Sequence, residues 1–215
     1  MIRIVSALLL TLGFTTLAVA ADAQYRLELE ISWSLDTHPH DWPAGGGHMS
    51  GLIGATHHRR YVMFADGYTA SSGIKSVAER GRARILRAEL DEAIGRERVK
   101  SVFQADGIAS VPGRIAVEFP ISESHSRVSF VTMIAPSPDW FTGVAGIDLR
   151  NDAGWRDRAE YVLWAWDAGT DRGPTYSSKN DTNQPAESIR LVATPHFLDD
   201  SGLKRVGTAS FTRID

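Results

Sequence analysis

Tyr25, Leu27, Leu29, Ile31 and Trp33 alternate with Arg26, Glu28, Glu30 and Ser32. A strand turns successive side chains to opposite faces. A period of two therefore predicts a β-strand with one face in a core and the other in water. The alternation returns at Ile115, Val117, Phe119 and Ile121. Ser122 to His125 reads as a turn, and Val128 to Ala135 as a more uniformly apolar strand running back. Tyr161 to Trp166, Ser188 to Ala193 and Val206 to Ile214 read as further strands, and Tyr61 to Phe64 as a shorter one. Clusters of Gly, Pro, Asn and Asp separate them. Many strands split by turns, with few helices between, predict an all-β fold, an antiparallel sandwich or barrel.

One helix is expected to flank it. Ser71 and Ser72 can cap its start, and Ile74, Val77, Ala78, Gly81, Ile85 and Ala88 fall near helical spacing. The other face carries Lys75, Glu79, Arg80, Arg82, Arg84, Arg87, Glu89, Asp91 and Glu92. Interleaved signs suit a solvated face better than an anion site.

The amino terminus reads as an address. Arg3 precedes an uncharged apolar run from Ile4 to Val19, and small-x-small sites end at Ala20 and Ala23. These are the parts of a secretory signal peptide, residues 1–23, cleaved near Ala20 or Ala23. The run is short for a membrane anchor, and no later run approaches spanning length. One domain is expected over residues 24–215, secreted or periplasmic. The chain has no cysteine, so disulfides, thiol nucleophiles and Cys-ligated metals are excluded and the fold rests on its core. The net charge is −3. Such a chain lacks the broad positive field that a phosphate backbone requires, which argues against nucleic acid as a partner.

Two stretches look unlike scaffold. Ala135 to Val144 holds Pro136-Ser137-Pro138 and then Asp139, Trp140 and Phe141. The prolines stop ladder pairing and stiffen the approach to Asp139. Trp166 to Pro174 leaves another apolar run and places Asp167, Thr170 and Asp171 among Gly169 and Gly173. Calcium takes 6–8 oxygen ligands from carboxylates, carbonyls and water. Asp139, Asp167 and Asp171 could supply several if the two loops meet. The alternative is that Asp167 and Asp171 only cap their turn by accepting backbone N–H groups.

Several blocks resemble the N-terminal spondin domain. They are Thr37 to Pro43 (THPHDWP), Leu52 to His57 (LIGATH), Ser71 to Gly81 (SSGIKSVAERG), Pro136 to Val144 (PSPDWFTGV) and Asp167 to Gly173 (DAGTDRG), in family order. The resemblance implies a β-sandwich similar to C2 domains, a divalent cation such as calcium at one end, and adhesion or recognition rather than catalysis. It implies that Asp139 and Asp167 hold the ion. The third family carboxylate falls on Pro120 here, a departure from the pattern. Glu118 shares that face one step, about 6.6 Å, further along and is the candidate in its place. Trp140 and Phe141 either present anchors to a partner or membrane, or plug the sandwich end and orient Asp139. The second is favoured because large aromatics are mostly buried.

Two rival classes remain. A metal-dependent envelope hydrolase would use His38, His40, His57 and His58, although H-E-x-x-H is absent. Ser126 beside His125 has no nucleophile elbow. A structural domain without an ion would use the acidic turn as a cap. The expected partner is an envelope or extracellular ligand: carbohydrate, lipid or protein.

Overall fold

A computed structural model describes residues 22–215. The apolar leader and the cut at Ala20 lie outside the described residues. The alternative cut after Ala23 falls within the first strand, where Ala23 is buried and opposite Ile121.

In chain order the strands begin with β1 (Ala23–Ile31), β2 (His48–Met49) and β3 (Leu52–His57). Two helices follow, α1 (Ser72–Arg80) and α2 (Arg84–Gly95). Then come β4 (Val99–Ala105), β5 (Gly113–Ile121), β6 (Arg127–Ala135) and β7 (Trp140–Asp148). β8 (Arg150–Asn151), β9 (Gly154–Trp155), β10 (Arg158–Leu163), β11 (Ala165–Asp167) and β12 (Arg190–Leu191) continue the chain, and β13 (Leu198–Asp199), β14 (Gly202–Leu203) and β15 (Gly207–Arg213) end it. One sheet runs β10-β15-β1-β5 and the other β12-β11-β7-β6-β3-β4, with β2 added beside β6. Their pairings are antiparallel.

The sandwich has a third layer. Between the sheets lie Tyr25, Leu27, Leu29, Phe119, Phe130 and Phe211. On the far side of the larger sheet, Ile53, Ala55, Val131 and Phe141 pack against Ile74, Val77, Leu86 and Leu90 of the helices. This explains two sequence textures. β1 and β5 alternate because one face meets water. β6 is almost continuously apolar because both its faces are covered.

The flanking helix is two helices. Ser71 Oγ accepts the Ile74 N–H at 3.1 Å, as the cap expectation required. α1 ends at Gly81, whose φ of 61° is left-handed and whose N–H reaches Val77 O at 2.8 Å. Helical register restarts beyond it. Leu86, Leu90 and Ala93 are therefore buried, and Ile85 and Ala88 face outward, against the single-helix expectation.

Three strand expectations change. Tyr61 to Phe64 is not a strand: Tyr61 N–H turns back to His58 O, and Met63 and Phe64 plug the helix-side core. Ser188 to Ala193 shortens to β12. Tyr161 to Trp166 divides between the two sheets, with Trp164 at the crossing and its carbonyl accepting from Thr142 Oγ1 at 2.7 Å. Among the described residues no helix is long and apolar enough to cross a membrane.

Candidate metal centre

The turn between β6 and β7 is set by Ser137, whose Oγ accepts the Trp140 N–H at 3.0 Å. That leaves Asp139 at the head of β7, 0% exposed. β11 pairs beside β7, with Asp167 opposite Trp140. The chain after Asp167 folds over Asp139: Ala168 N–H reaches the Asp139 carbonyl at 3.1 Å. Asp139 Oδ2 accepts from Thr170 N at 2.6 Å, Thr170 Oγ1 at 3.2 Å and Asp171 N at 3.0 Å. Asp139 Oδ1 is buried and has no hydrogen-bond partner among the described residues. The two acidic loops converge.

The bend depends on Gly169. Its φ is 71°, and a Cβ there would lie 2.5 Å from Glu187 O. Glu187 N–H returns to Gly169 O at 2.8 Å, and Asn183 Nδ2 donates to the same carbonyl at 3.1 Å.

Asp167 and Asp171 both cap turns. Asp167 Oδ1 accepts from Gly169 N at 2.7 Å, and Oδ2 pairs with Arg190 at 3.1 Å. Asp171, 5% exposed, accepts from Gly173 N at 2.8 Å and Asp181 N at 3.0 Å. Both line a cavity of about 320 Å³ with Asn183, Glu187 and Arg190. Burial, then the charge of Asp167, pushes the Asp139 carboxyl up to about 6, against the hydrogen bonds from Thr170 and Asp171. Burial also raises Asp167, opposed by the Gly169 N–H and Arg190.

Glu118 does not join this group. It stands on the solvent face of the other sheet, 3.3 Å from Arg26. Strand parity placed it correctly on its own strand, but that strand belongs to the opposite layer. Trp140 and Phe141 are 3% and 0% exposed, so neither presents an anchor to a partner. Trp140 packs on Tyr176 and His196 at 5.2 and 5.1 Å, and Phe141 on Phe64 at 5.1 Å. They plug opposite faces of the larger sheet, Trp140 in the core between the sheets and Phe141 in the core beneath the helices. Arg190 and Asn183 were not legible as site residues, whereas Thr170 stood in the acidic turn from the start. Arg190 carried a signal as a cation inside an expected strand, and it lies opposite Asp167 in the ladder.

His38, His57 and His125 make contacts within the fold. His57 contacts Ser129 Oγ at 2.8 Å and His58 O at 2.9 Å, and His38 contacts Thr37 Oγ1 at 2.8 Å. Ser126 donates to Asp148 at 2.8 Å, while the His125 ring meets Ser124 Oγ at 2.9 Å. Among the described residues no group of three His, Asp or Glu side chains stands at metal-ligand spacing. An ion at Asp139 and Asp167 would therefore draw its remaining ligands from carbonyls and water.

The Spondin_N family model matches residues 23–201, nearly all of the described chain. The chain belongs to the spondin N-terminal domain family. It is 36% identical over 204 residues to Spondin-1 of Gallus gallus, covering 89% of this chain and 25% of that protein. With Spondin-1 of Mus musculus the identity is 38% over 190 residues, 84% of this chain and 24% of that one. With Spondin-2 of Homo sapiens it is 36% over 186 residues, covering 85% and 56%. This spondin domain spans about a quarter of its Spondin-1 relatives and about half of the Spondin-2 relative.

Proposed function

We propose that this spondin domain is a secreted, non-catalytic recognition or adhesion module whose sandwich end is pinned by calcium between Asp139 and Asp167. The observation that carries the reading is Asp139 Oδ1: a buried carboxylate oxygen without a donor, beside a second carboxylate. Two carboxylates about 4 Å apart near a surface repel by about 4 kcal/mol at an effective dielectric of 20, and a divalent cation turns that cost into attraction. Asp139 and Asp167 would bind the ion directly. Asp171, whose oxygens already hold two backbone N–H groups, would act through water. Export follows from the leader sequence, and a cut after Ala20 leaves β1 whole. Recognition rather than catalysis rests on family membership.

One observation favours a second reading, a structural domain without an ion. Arg190 already answers Asp167, and a protonated Asp139 would need no cation. Terbium, a luminescent calcium mimic, distinguishes them. Trp140 lines the cavity and should sensitise its emission. Emission that calcium displaces, and that Asp167→Asn abolishes, supports the calcium site. No sensitised emission supports the structural reading.

A further inference from the structure

A second concavity, about 590 Å³, opens between the outer half of β7 and the free edge of β10. It shares no lining residue with the acidic cavity. It exists because β11 pairs with β7 only as far as Thr142 and β10 has already left for the other sheet. Tyr61, Tyr161, Trp164 and Trp166 line it, all half-buried. Their hydroxyls and indole N–H groups form no hydrogen bond within the described residues. Amphipathic rings with free polar tips suit a ligand that has apolar faces and acceptor edges.

The charge of the groove is one-sided. Arg59 and Arg127 line it against one carboxylate, Asp66. Arg59 has no ion pair among the described residues. Arg127 lies 3.7 Å from Asp148, and its Nε is buried without a hydrogen-bond partner among the described residues. Arg60, next in sequence to Arg59 and exposed, adds a further cation beside the groove. An extended peptide added along β7 is disfavoured. The β6–β7 register shifts between Val128 and Phe130, and Gly146 has φ 68°, so the edge is bulged where a new strand would need a flat ladder.

We propose that this groove binds an acidic oligosaccharide, its sugar rings lying on Tyr61, Tyr161, Trp164 and Trp166 and its anionic substituent held by Arg59 and Arg127. Guanidinium forks match carboxylate and sulfate alike. The proposal gives the recognition reading a ligand class and rests on it only in that sense.

The test is calorimetric titration of the secreted chain in chelator with four probes. They are a galacturonic acid hexamer, a heparin-derived hexasaccharide, neutral cellohexaose and poly-glutamate. At least one acidic hexasaccharide should bind tenfold or more tighter than cellohexaose and poly-glutamate, and the better of the two identifies carboxylate or sulfate. Arg59→Gln, an exposed change, should weaken that binding about fivefold with an unchanged unfolding midpoint, and Trp164→Ala should weaken it further. Asp167→Asn should retain full affinity, which separates failure of the ion site from failure of the groove. Absence of binding by both acidic sugars at millimolar concentration overturns the proposal. So does an unaltered affinity in Arg59→Gln. Equal binding of cellohexaose removes the role of charge, and equal binding of poly-glutamate makes the groove a peptide site; either result overturns it.

Discussion

At Asp139 one carboxylate oxygen receives three hydrogen bonds and the other receives none. Asparagine keeps the first set, because its carbonyl can accept from Thr170 and Asp171, and it removes the charge. Asp139→Asn should therefore leave the chelated protein as stable as wild type or about 1–2 kcal/mol more stable at neutral pH, as read by urea unfolding. A loss of several kcal/mol in chelator would show that the charge itself is needed by the fold. Arg190→Gln should act in the opposite sense. Freed from its 3.1 Å partner, Asp167 presents more charge, so the chelated protein loses about 1 kcal/mol while the calcium-induced gain grows. An unchanged calcium gain would place the ion away from Asp167. His38 gives a pH signature. Burial, then Lys204, lowers it to about 4 from 6.5. Between those values the unfolded state binds the proton and the folded state resists it. Stability is thus whole above pH 6.5 and falls as pH drops toward 4, by about 3 kcal/mol for this group. Asp139, held near 6, titrates in the same window with the opposite slope. The informative quantity is therefore the difference between wild type and His38→Asn, which should shrink toward acid pH. Parallel curves would contradict the assignment.

Elements whose pattern survives in one layer were legible, and those that change layer were not. β1 and β5 announce themselves because a water-facing side chain alternates with each core residue. The run from Tyr161 to Trp166 stays apolar across the crossing from one sheet to the other, so nothing in it marks the switch at Trp164. β7 was hidden for a different reason. The prolines before Asp139 signal a stop, yet the stop lasts only until Trp140, where the ladder with β6 and β11 begins. In the helical pair, Gly81 fell on the apolar stripe of a continuous helix, and its left-handed φ is a backbone property that periodicity does not report. Gly81→Ala adds αL strain and places a Cβ 2.7 Å from that of Ser50. It should cost about 2 kcal/mol or more, lowering the thermal midpoint without changing the calcium shift. A near-neutral result would mean that the α1–α2 junction bends freely.

At the scale of the whole molecule the larger sheet is the shared wall of two cores, and Phe141 places the site's supporting strand in the helix-side one. The convergence of Asp139 and Asp167 was legible from two short motifs and their family likeness, since both loops leave strands that end together. Glu118 was not legible as an outsider, because strand parity fixes a face but not the layer to which the strand belongs. On the proposed function, the paired carboxylates make the sandwich end a cation-dependent clasp. At a hundredfold excess over its dissociation constant a ligand of the native state adds about 2.7 kcal/mol. In a chain of this size that is a rise of about 5–10 °C in the unfolding midpoint. Thermal unfolding of residues 21–215 tests this, in tens of millimolar calcium, about a hundredfold above the roughly 10⁻⁴–10⁻³ M at which extracellular calcium modules bind, against chelator, for wild type, Asp139→Asn and Asp167→Asn. The proposed site requires that rise in wild type and none in either variant. An identical wild-type midpoint in calcium and chelator, or an equal shift in all three proteins, would contradict it.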